Sequence, residues 1–399
     1  MSDFDAAPAA PVLPRVLKIR FTGSGSEYFR IWAVNMLLIL VTLGLYVPFA
    51  KARRIRYFYA NTLVDGQALS FHGDSWKMFR GFVLLVLLMG AYSVAGKVSA
   101  TAAFIAFLIL CIVWPALWRA SLQFRLGNTS WRGLRMRFEG SLKDAYLACA
   151  PLYLPLIAFM GYSWLAGPQV GGNRTPDAAT MQAFAIRSLF MMGLVLLLTP
   201  LSFALFKRYQ HDGYRIAAQR ARIDMSTGSV YLLAVKLVGV TLVSAILVTL
   251  VVTLLGVLAA FTGALGGLRP SLDSPLAQAG FFALGMVVYL LLFSIVLPYA
   301  AARMQNLAWN STQTQCLSFR SVLKFRSLFG LTLTNWLLTA LTLGLYRPFA
   351  AVSTARLRLE AVAIGTTEEP ADWVAARSTG HADATGDVAG DFFGIDMGL

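Results

Sequence analysis

The sequence predicts an all-α integral membrane protein built from internal repeats. Six full transmembrane helices, two terminal re-entrant or short-span helical hairpins and short cytoplasmic β-segments are expected. Three observations carry this reading. The 399 residues are 57% hydrophobic and 13% charged, with a mean hydropathy of +0.65, more apolar surface than one soluble core can hide. Phe29 to Ala50 and Phe329 to Ala350 are near copies, identical at twelve positions, and such self-similarity marks a repeated structural unit. Segments 51–80, 119–143, 207–229 and 303–326 hold six, six, five and four Lys or Arg, whereas the opposite turns hold one each, Lys97, Arg174 and Arg269. That asymmetry follows the positive-inside rule and fixes the four long segments in the cytoplasm. The same placement assigns the net charge of +15 to membrane topology, with no nucleic-acid partner.

Along the chain, residues 1–14 are Pro/Ala-rich and read as a disordered N-terminus. The first 27 residues lack the order of a secretion signal, so no cleavage is expected. Residues 15–365 form the repeat-built transmembrane domain. Apolar stretches near the 20 or so residues that a bilayer core requires run from Phe79 to Lys97, Ala100 to Trp118, Ala145 to Leu165, Met181 to Phe206, Val230 to Phe261 and Leu276 to Ala300. The two copied end segments each break at Thr-Leu-Gly, at 42–44 and 342–344. The first arm is then about 14 residues, roughly 21 Å of helix against a core of about 30 Å. This favours half-penetrating hairpins with both termini cytoplasmic over eight simple spans. Asn35 and Asn335, whose amides need partners, suit a covered position within such hairpins.

Prolines set the register of the repeat at Pro48, Pro115, Pro200, Pro298 and Pro348. Asn61-Thr62 and Asn128-Thr129 follow 13 residues after the first two, and Phe71-His72-Gly73 and Phe138-Glu139-Gly140 follow 23 after. The later copies are weaker, with Ile223 at 23 after Pro200 and Phe319 at 21 after Pro298. Phe21-Thr22-Gly23 precedes the first apolar segment. Residues 18–22, 69–72 and 135–139 alternate with period two, as short strands do. They either join into a small cytoplasmic sheet or tuck their phenylalanines into the interface as extended loops.

No catalytic constellation is present. His72, His211 and His381 have no His or Cys at ligand spacing, and Cys111, Cys149 and Cys316 are unrelated in spacing and read as packing residues. The expectation is therefore a non-enzyme with no cofactor, no metal and no catalytic residue. Arg53, Arg56, Arg119, Arg125, Lys207, Arg208 and Arg303 lie on the basic extensions that follow the prolines. Together they could ring a cytoplasmic mouth and contact anionic phospholipid headgroups or small anions. Asn35, Gly44, Tyr46, Pro48, Asn61, Asn335, Gly344, Tyr346 and Pro348 form the structural repeat motif. Residues 366–399 turn acidic and read as a disordered tail, whose last stretch, Asp391 to Leu399, is a candidate docking motif for a protein partner or for the chain's own basic face; the tail is the basis of an alternative scaffold role.

The duplicated T-L-G-L-Y-x-P-F-A, the Arg-rich helix after it, Asn61-Thr62 and the F-x-G elements at Phe71 and Phe138 resemble the YjgN family of bacterial inner-membrane proteins. That family is defined by a domain of unknown function, and the similarity covers about 15–365. The resemblance implies a multi-pass protein of the bacterial cytoplasmic membrane, with no activity or catalytic residue to carry over. The last copy departs from the pattern, with Ala351, Ser353 and Thr354 at the positions of Lys51, Arg53 and Arg54.

Overall fold

A computed structural model describes residues 15–166, 177–265 and 275–373, with part of 255–291 as backbone alone. The chain folds as five successive units, each a strand, a helical hairpin and a returning strand. The first is β1 (Arg15–Phe21), α1 (Gly25–Val41), α2 (Val47–Ala60) and β2 (Thr62–Val64). The second is β3 (Gln67–Phe71), α3 (Ser75–Val98), α4 (Ala100–Gly127) and β4 (Thr129–Trp131). The third is β5 (Leu134–Phe138), α5 (Leu142–Ala166), α6 (Ala178–Asp212) and β6 (Tyr214–Ile216), followed by β7 (Gln219–Arg220). The fourth is β8 (Arg222–Ile223), α7 (Thr227–Leu265), α8 (Pro275–Asn310) and β9 (Thr312–Gln313). The fifth is β10 (Leu317–Ser321), α9 (Phe325–Leu341), α10 (Arg347–Glu360) and β11 (Val362–Thr366).

In every unit the entering and returning strands pair antiparallel, as in Phe21 opposite Thr62, Phe71 opposite Thr129, Phe138 opposite Tyr214 and Ile223 opposite Thr312. Both feet of each hairpin therefore stand on the sheet. The eleven strands run in the order β7-β6-β5-β4-β3-β2-β1-β11-β10-β9-β8. β7 and β8, the two ends of that order, are separated in sequence by Ala221 alone, so the sheet is one pairing short of a closed barrel. Pairing of β1 with β11, Leu17 opposite Ile364, joins the two ends of the repeat domain. Leu17, Val64, Trp131, Leu134, Cys316 and Leu317 fill the core of this sheet, and Trp373 from the segment after β11 packs among them.

The ten helices among the described residues also close into a ring: each packs on its neighbour in chain order, and α1 packs on α10. The copied end segments are thus adjacent, with Phe29 and Phe349 ring centroids 5.8 Å apart. They sit as two neighbours in a fivefold arrangement. The hairpin tips at Leu43 and Leu343 are 94% and 96% exposed.

Local sequence explains the repeat. Each returning strand begins 14 residues after its proline, at Thr62, Thr129, Tyr214, Thr312 and Val362. Pro48 and Pro348 stand in the first turn of α2 and α10, where a missing amide costs nothing, while Pro115, Pro200 and Pro298 lie inside α4, α6 and α8. Asn61 and Asn128 end their helices by donating Nδ2 to the carbonyls of Tyr57 and Phe124 at 2.9 and 2.8 Å. Thr62, Thr129 and Thr312 donate Oγ1 to the carbonyl four residues back, each at 2.7 Å. The amide three residues before the first helix of each unit is then bound across the unit: Thr22 to Asn61, His72 to Asn128, Glu139 to Gly213, Asp224 to Ser311 and Val322 to Ala361.

The F-x-G element has a steric cause. A Cβ on Gly23, Gly73 or Gly140 would come within 2.8, 2.3 or 2.6 Å of the ring of Phe21, Phe71 or Phe138, because that ring folds back over the glycine. In the fourth and fifth units the ring is absent, Ile223 and Ser321 taking its place, and the glycine is absent too, replaced by Met225 and Leu323.

Three expectations are corrected. The protein is not all-α with short β-segments, because one eleven-stranded sheet organises all five units. Its strands are two to seven residues long and pair across sequence distances that period-two alternation cannot show. Six full transmembrane helices are not matched either. Among the described residues five helices are long and apolar enough to cross a membrane: Ser75–Val98, Ala100–Gly127, Leu142–Leu165, Ala178–Asp212 and Thr227–Leu254. The expected sixth, Leu276 to Ala300, falls in α8, many of whose side chains between 276 and 291 lie outside the described residues, and α1 and α9 have only 17 residues each. Finally, the fifth F-x-G register is Ser321, 23 residues after Pro298, and not Phe319. Residues 1–14, 374–399, Arg174 and Arg269 also lie outside the described residues.

Candidate functional site

All four basic segments gather where the helices meet the sheet. The seven cations singled out from the sequence sort into three groups there. Arg56, Arg119 and Arg208 each reach from the second helix of one unit to the entrance of the next. Arg56 Nη2 donates to the Gly73 carbonyl at 2.8 Å and Arg119 Nε to the Gly140 carbonyl at 2.8 Å. Arg208 donates through Nε and Nη2 to the Met225 carbonyl at 3.1 and 2.7 Å. Two residues outside that set complete the pattern. Asn306 Nδ2 donates to the Leu323 carbonyl at 2.9 Å, and its Oδ1 accepts from the Leu323 amide at 2.9 Å. Arg356 Nη2 donates to the Gly23 carbonyl at 2.8 Å. Every unit is thereby tied to its successor, and the fifth to the first.

Arg53 and Arg303 lie against aromatic faces. The Arg53 guanidinium stands 5.6 Å from the Tyr46 ring centroid and donates to Asn35 Oδ1 at 3.5 Å, while Arg303 stands 5.5 Å from that of Tyr299. Such contacts contribute about 0.5–1 kcal/mol at exposed sites and hold the charge at the flank of the helix ring. Asn35 and Asn335 are both buried. The final copy, lacking the arginine, satisfies Asn335 with the Ala350 carbonyl, Ser353 Oγ and Thr354 Oγ1 at 3.4, 3.3 and 3.2 Å. Gly44 and Gly344 take φ of +93° and +95° at the hairpin tips, a conformation that favours glycine.

Arg125 and Lys207, both half-buried, make up the third group. Lys207, half-buried on α6, feels Arg358 of α10 and Arg125 of α4 as its neighbouring charges, both cationic. Lys207 Nζ donates to Gln210 Oε1 at 3.1 Å. Arg358 Nε donates to Gln305 Oε1 of α8 at 2.9 Å, and Gln305 Nε2 returns a bond to the Arg358 carbonyl at 2.9 Å. Arg358 is open to solvent, yet desolvation by the surrounding helices lowers its pKa below arginine's ordinary value. Burial raises the Tyr214 phenol, with Arg125 opposing the shift and Tyr59 of α2 adding to it. Among the described residues no carboxylate pairs with Arg125, Lys207 or Arg358.

Sequence reasoning missed Arg356, Arg358, Gln305 and Asn306. A signal existed for two of them, because the tie to the next unit stands eight residues after the proline in four units, at Arg56, Arg208, Asn306 and Arg356. The second unit shifts it one turn earlier, to Arg119. Two histidines bond strand hydroxyls: His72 Nε2 bonds Ser130 Oγ and His211 Nδ1 bonds Thr312 Oγ1, each at 2.8 Å. His381 lies outside the described residues. Cys111, Cys149 and Cys316 are buried and free.

Comparison with known proteins agrees with the duplicated motif. The family described as "Bacterial protein of unknown function (DUF898)" matches residues 16–392, and the chain belongs to it. Inner membrane protein YjgN of Escherichia coli O157:H7 is 33% identical over 147 residues, 35% of this chain and 35% of its own. The protein of the same name from Escherichia coli strain K12 is 30% identical over 144 residues, with the same shares. That of Salmonella typhimurium strain LT2 is 28% identical over 143 residues, 35% of this chain and 36% of its own. The similarity therefore spans about a third of the length of these relatives. No solved structure matches the chain.

Proposed function

We propose that this member of the DUF898 family is a non-enzymatic membrane module that engages anionic phospholipid through the basic face at the feet of its helices. The carrying observation is that five hairpins with apolar outer faces present their cations at one level, where the helices join the sheet. By the positive-inside rule that level faces the cytoplasm, where anionic lipids concentrate. Arg53 over Tyr46 and Arg303 over Tyr299 have the cation-plus-aromatic make-up suited to headgroup depth. Both histidines among the described residues are committed to strand hydroxyls, which supports a structural role and a non-catalytic chain. Native mass spectrometry of the full chain titrated with phosphatidylglycerol or phosphatidylcholine tests the reading. Phosphatidylglycerol is expected to be retained several-fold better, and Arg53→Gln with Arg303→Gln to erase most of the difference. Equal retention of both lipids by the unaltered chain overturns it.

A further inference from the structure

An apolar cleft of about 400 Å³ opens between α7 and α8, walled by Leu237, Val238, Thr241 and Leu242 on one side and by Val296 and Ala300 on the other. Thr241 commits its hydroxyl to the Leu237 carbonyl at 2.8 Å, so the walls present hydrocarbon. Helical spacing shows which way the cleft faces. Val296, Ala300 and Arg303, at i, i+4 and i+7, share one face of α8, while Ser294, Pro298, Ala302 and Gln305 run along the opposite face and are all buried. The cleft therefore opens on the exposed side of the hairpin. Arg303, itself exposed, lies in line with it, about 4.5 Å nearer the foot of the helix at about 1.5 Å per residue. Its guanidinium rests 5.5 Å from the Tyr299 ring centroid, whereas Arg56, Arg119 and Arg208 end on a neighbour's carbonyl. The repeat sets this hairpin apart. Two residues after the proline, Leu117 and Ser202 are 4% and 2% exposed, but Ala300 is only half-buried. Five residues after it, the second and third units have Ala120 and Leu205 where the fourth has Arg303. Of the three units with long helices, the fourth alone combines the uncovered position with a cation one turn further on.

We propose that this cleft is a site for one anionic phospholipid of the surrounding bilayer, with an acyl chain between α7 and α8 and the headgroup on Arg303. An aliphatic chain matches hydrocarbon walls on a helix, α7, that is long and apolar enough to cross the membrane. The volume falls within the range of clefts that hold small ligands. A headgroup phosphate accepts from the fork of a guanidinium, and the cation stands at the foot side of the cleft, toward the leaflet where anionic lipids concentrate. The inference rests on the anionic-lipid reading above and narrows it from a basic face to a single site.

Photo-crosslinking of the full chain tests the site. Phosphatidylcholine nanodiscs carry a trace of phosphatidylglycerol, or of phosphatidylcholine, bearing a diazirine on one acyl chain, and adducts are mapped by peptide mass spectrometry. The phosphatidylglycerol probe is expected to label 237–242 and 296–300 several-fold more than the equivalent stretches of the second unit, 85–90 and 113–117, which serve as the control at the same depth. The phosphatidylcholine probe should show little such excess. Arg303→Gln is expected to bring phosphatidylglycerol down to the level of phosphatidylcholine, and Ala300→Phe, which fills the cleft, to remove the excess. Should Ala300→Phe fail to assemble, Arg303→Gln, a change on the exposed face, decides. Uniform labelling of the two units overturns the site and leaves the cleft to a partner helix or to no occupant. Excess labelling that is equal for the two probes, or unchanged in Arg303→Gln, also overturns it. Selective retention of phosphatidylglycerol in native mass spectrometry alongside any of these results would remove the cleft alone, whereas equal retention of both lipids removes the broader reading.

Discussion

The Arg356 guanidinium donates to the Gly23 carbonyl at 2.8 Å across 333 residues of chain. It makes the same tie that Arg56 makes to Gly73 and Arg208 to Met225, and so closes a linear repeat into a ring. Most tandem repeats stack open-ended and need special terminal copies. Here the first and last units serve each other as neighbours. β1 pairs with β11, α1 packs on α10, and Gly25 lies so close to Phe349 that a Cβ there would meet its ring at 2.3 Å.

Removing the closing tie should loosen that seam specifically. Arg356→Ala forfeits a hydrogen bond from a charged donor to a backbone carbonyl, a contact of roughly 1.5–3 kcal/mol when buried. The side chain is exposed, so about 1–2 kcal/mol is expected. The loss should appear as a lower thermal midpoint of the purified protein. A pair of cysteines placed across α1 and α10 should also cross-link less completely. Arg356→Asn, which imitates Asn306 of the fourth unit, should recover part of both signals. An unchanged midpoint in Arg356→Ala would remove the ring-closing role.

Much of this organisation is legible in the order of the residues. The five prolines fix five units: the residue 13 positions after each falls at the foot of the second helix, and the residue 23 positions after each of the first four ends the entering strand of the next unit. Asn61, Thr62, Asn128 and Thr129 carry out the terminating role that short polar side chains suit. Closure is not legible there. β7, β8 and β9 have two residues each, too few for alternation to register, and β1 meets β11 only after the whole chain has folded. The cations mislead for a related reason. Composition marks Arg56 and Arg208 as lipid-facing candidates, whereas geometry commits them to carbonyls of the next unit. Phe319 misleads likewise, since an aromatic residue near the expected spacing draws attention from Ser321, which holds the register.

The coupled loss of ring and glycine in the last two units makes a reciprocal substitution informative. Gly73→Ala places a methyl 2.3 Å from the Phe71 ring and 3.2 Å from Phe124. Overpacking of this kind costs about 1–3 kcal/mol. Phe71→Ile combined with Gly73→Met reproduces the Ile223 and Met225 pair, in which Met225 is 2% exposed. The double variant is expected to be more stable than Gly73→Ala by denaturant or thermal unfolding, with coupling of about 0.5–3 kcal/mol between the two positions. Strict additivity of the two single changes would show that ring and glycine do not share one space.

Cys316 reports on the segment that follows β11. Desolvation in the sheet core, with Glu368 next in effect, pushes its thiol up from 9.0 to about 11. Trp373 packs in the same core and donates Nε1 to Glu368 Oε2 at 2.6 Å. Because the folded value is raised, the protonated thiol favours the folded state fully below about pH 9, and that contribution is lost as pH rises through about 11. Maleimide labelling of Cys316, followed by mass spectrometry of the peptide that contains it, should be slow at pH 7–8 and accelerate toward pH 11. Trp373→Ala should uncover the thiol and speed labelling at least severalfold at pH 8, because a thiol open to water returns toward its ordinary value and reacts as thiolate. Deleting 374–399 should leave the rate unchanged, since Trp373 remains. Equal rates in Trp373→Ala and the unaltered chain would mean that residues 367–373 do not seal the sheet, and the packing of that segment against Trp131 and Cys316 would lose its structural role.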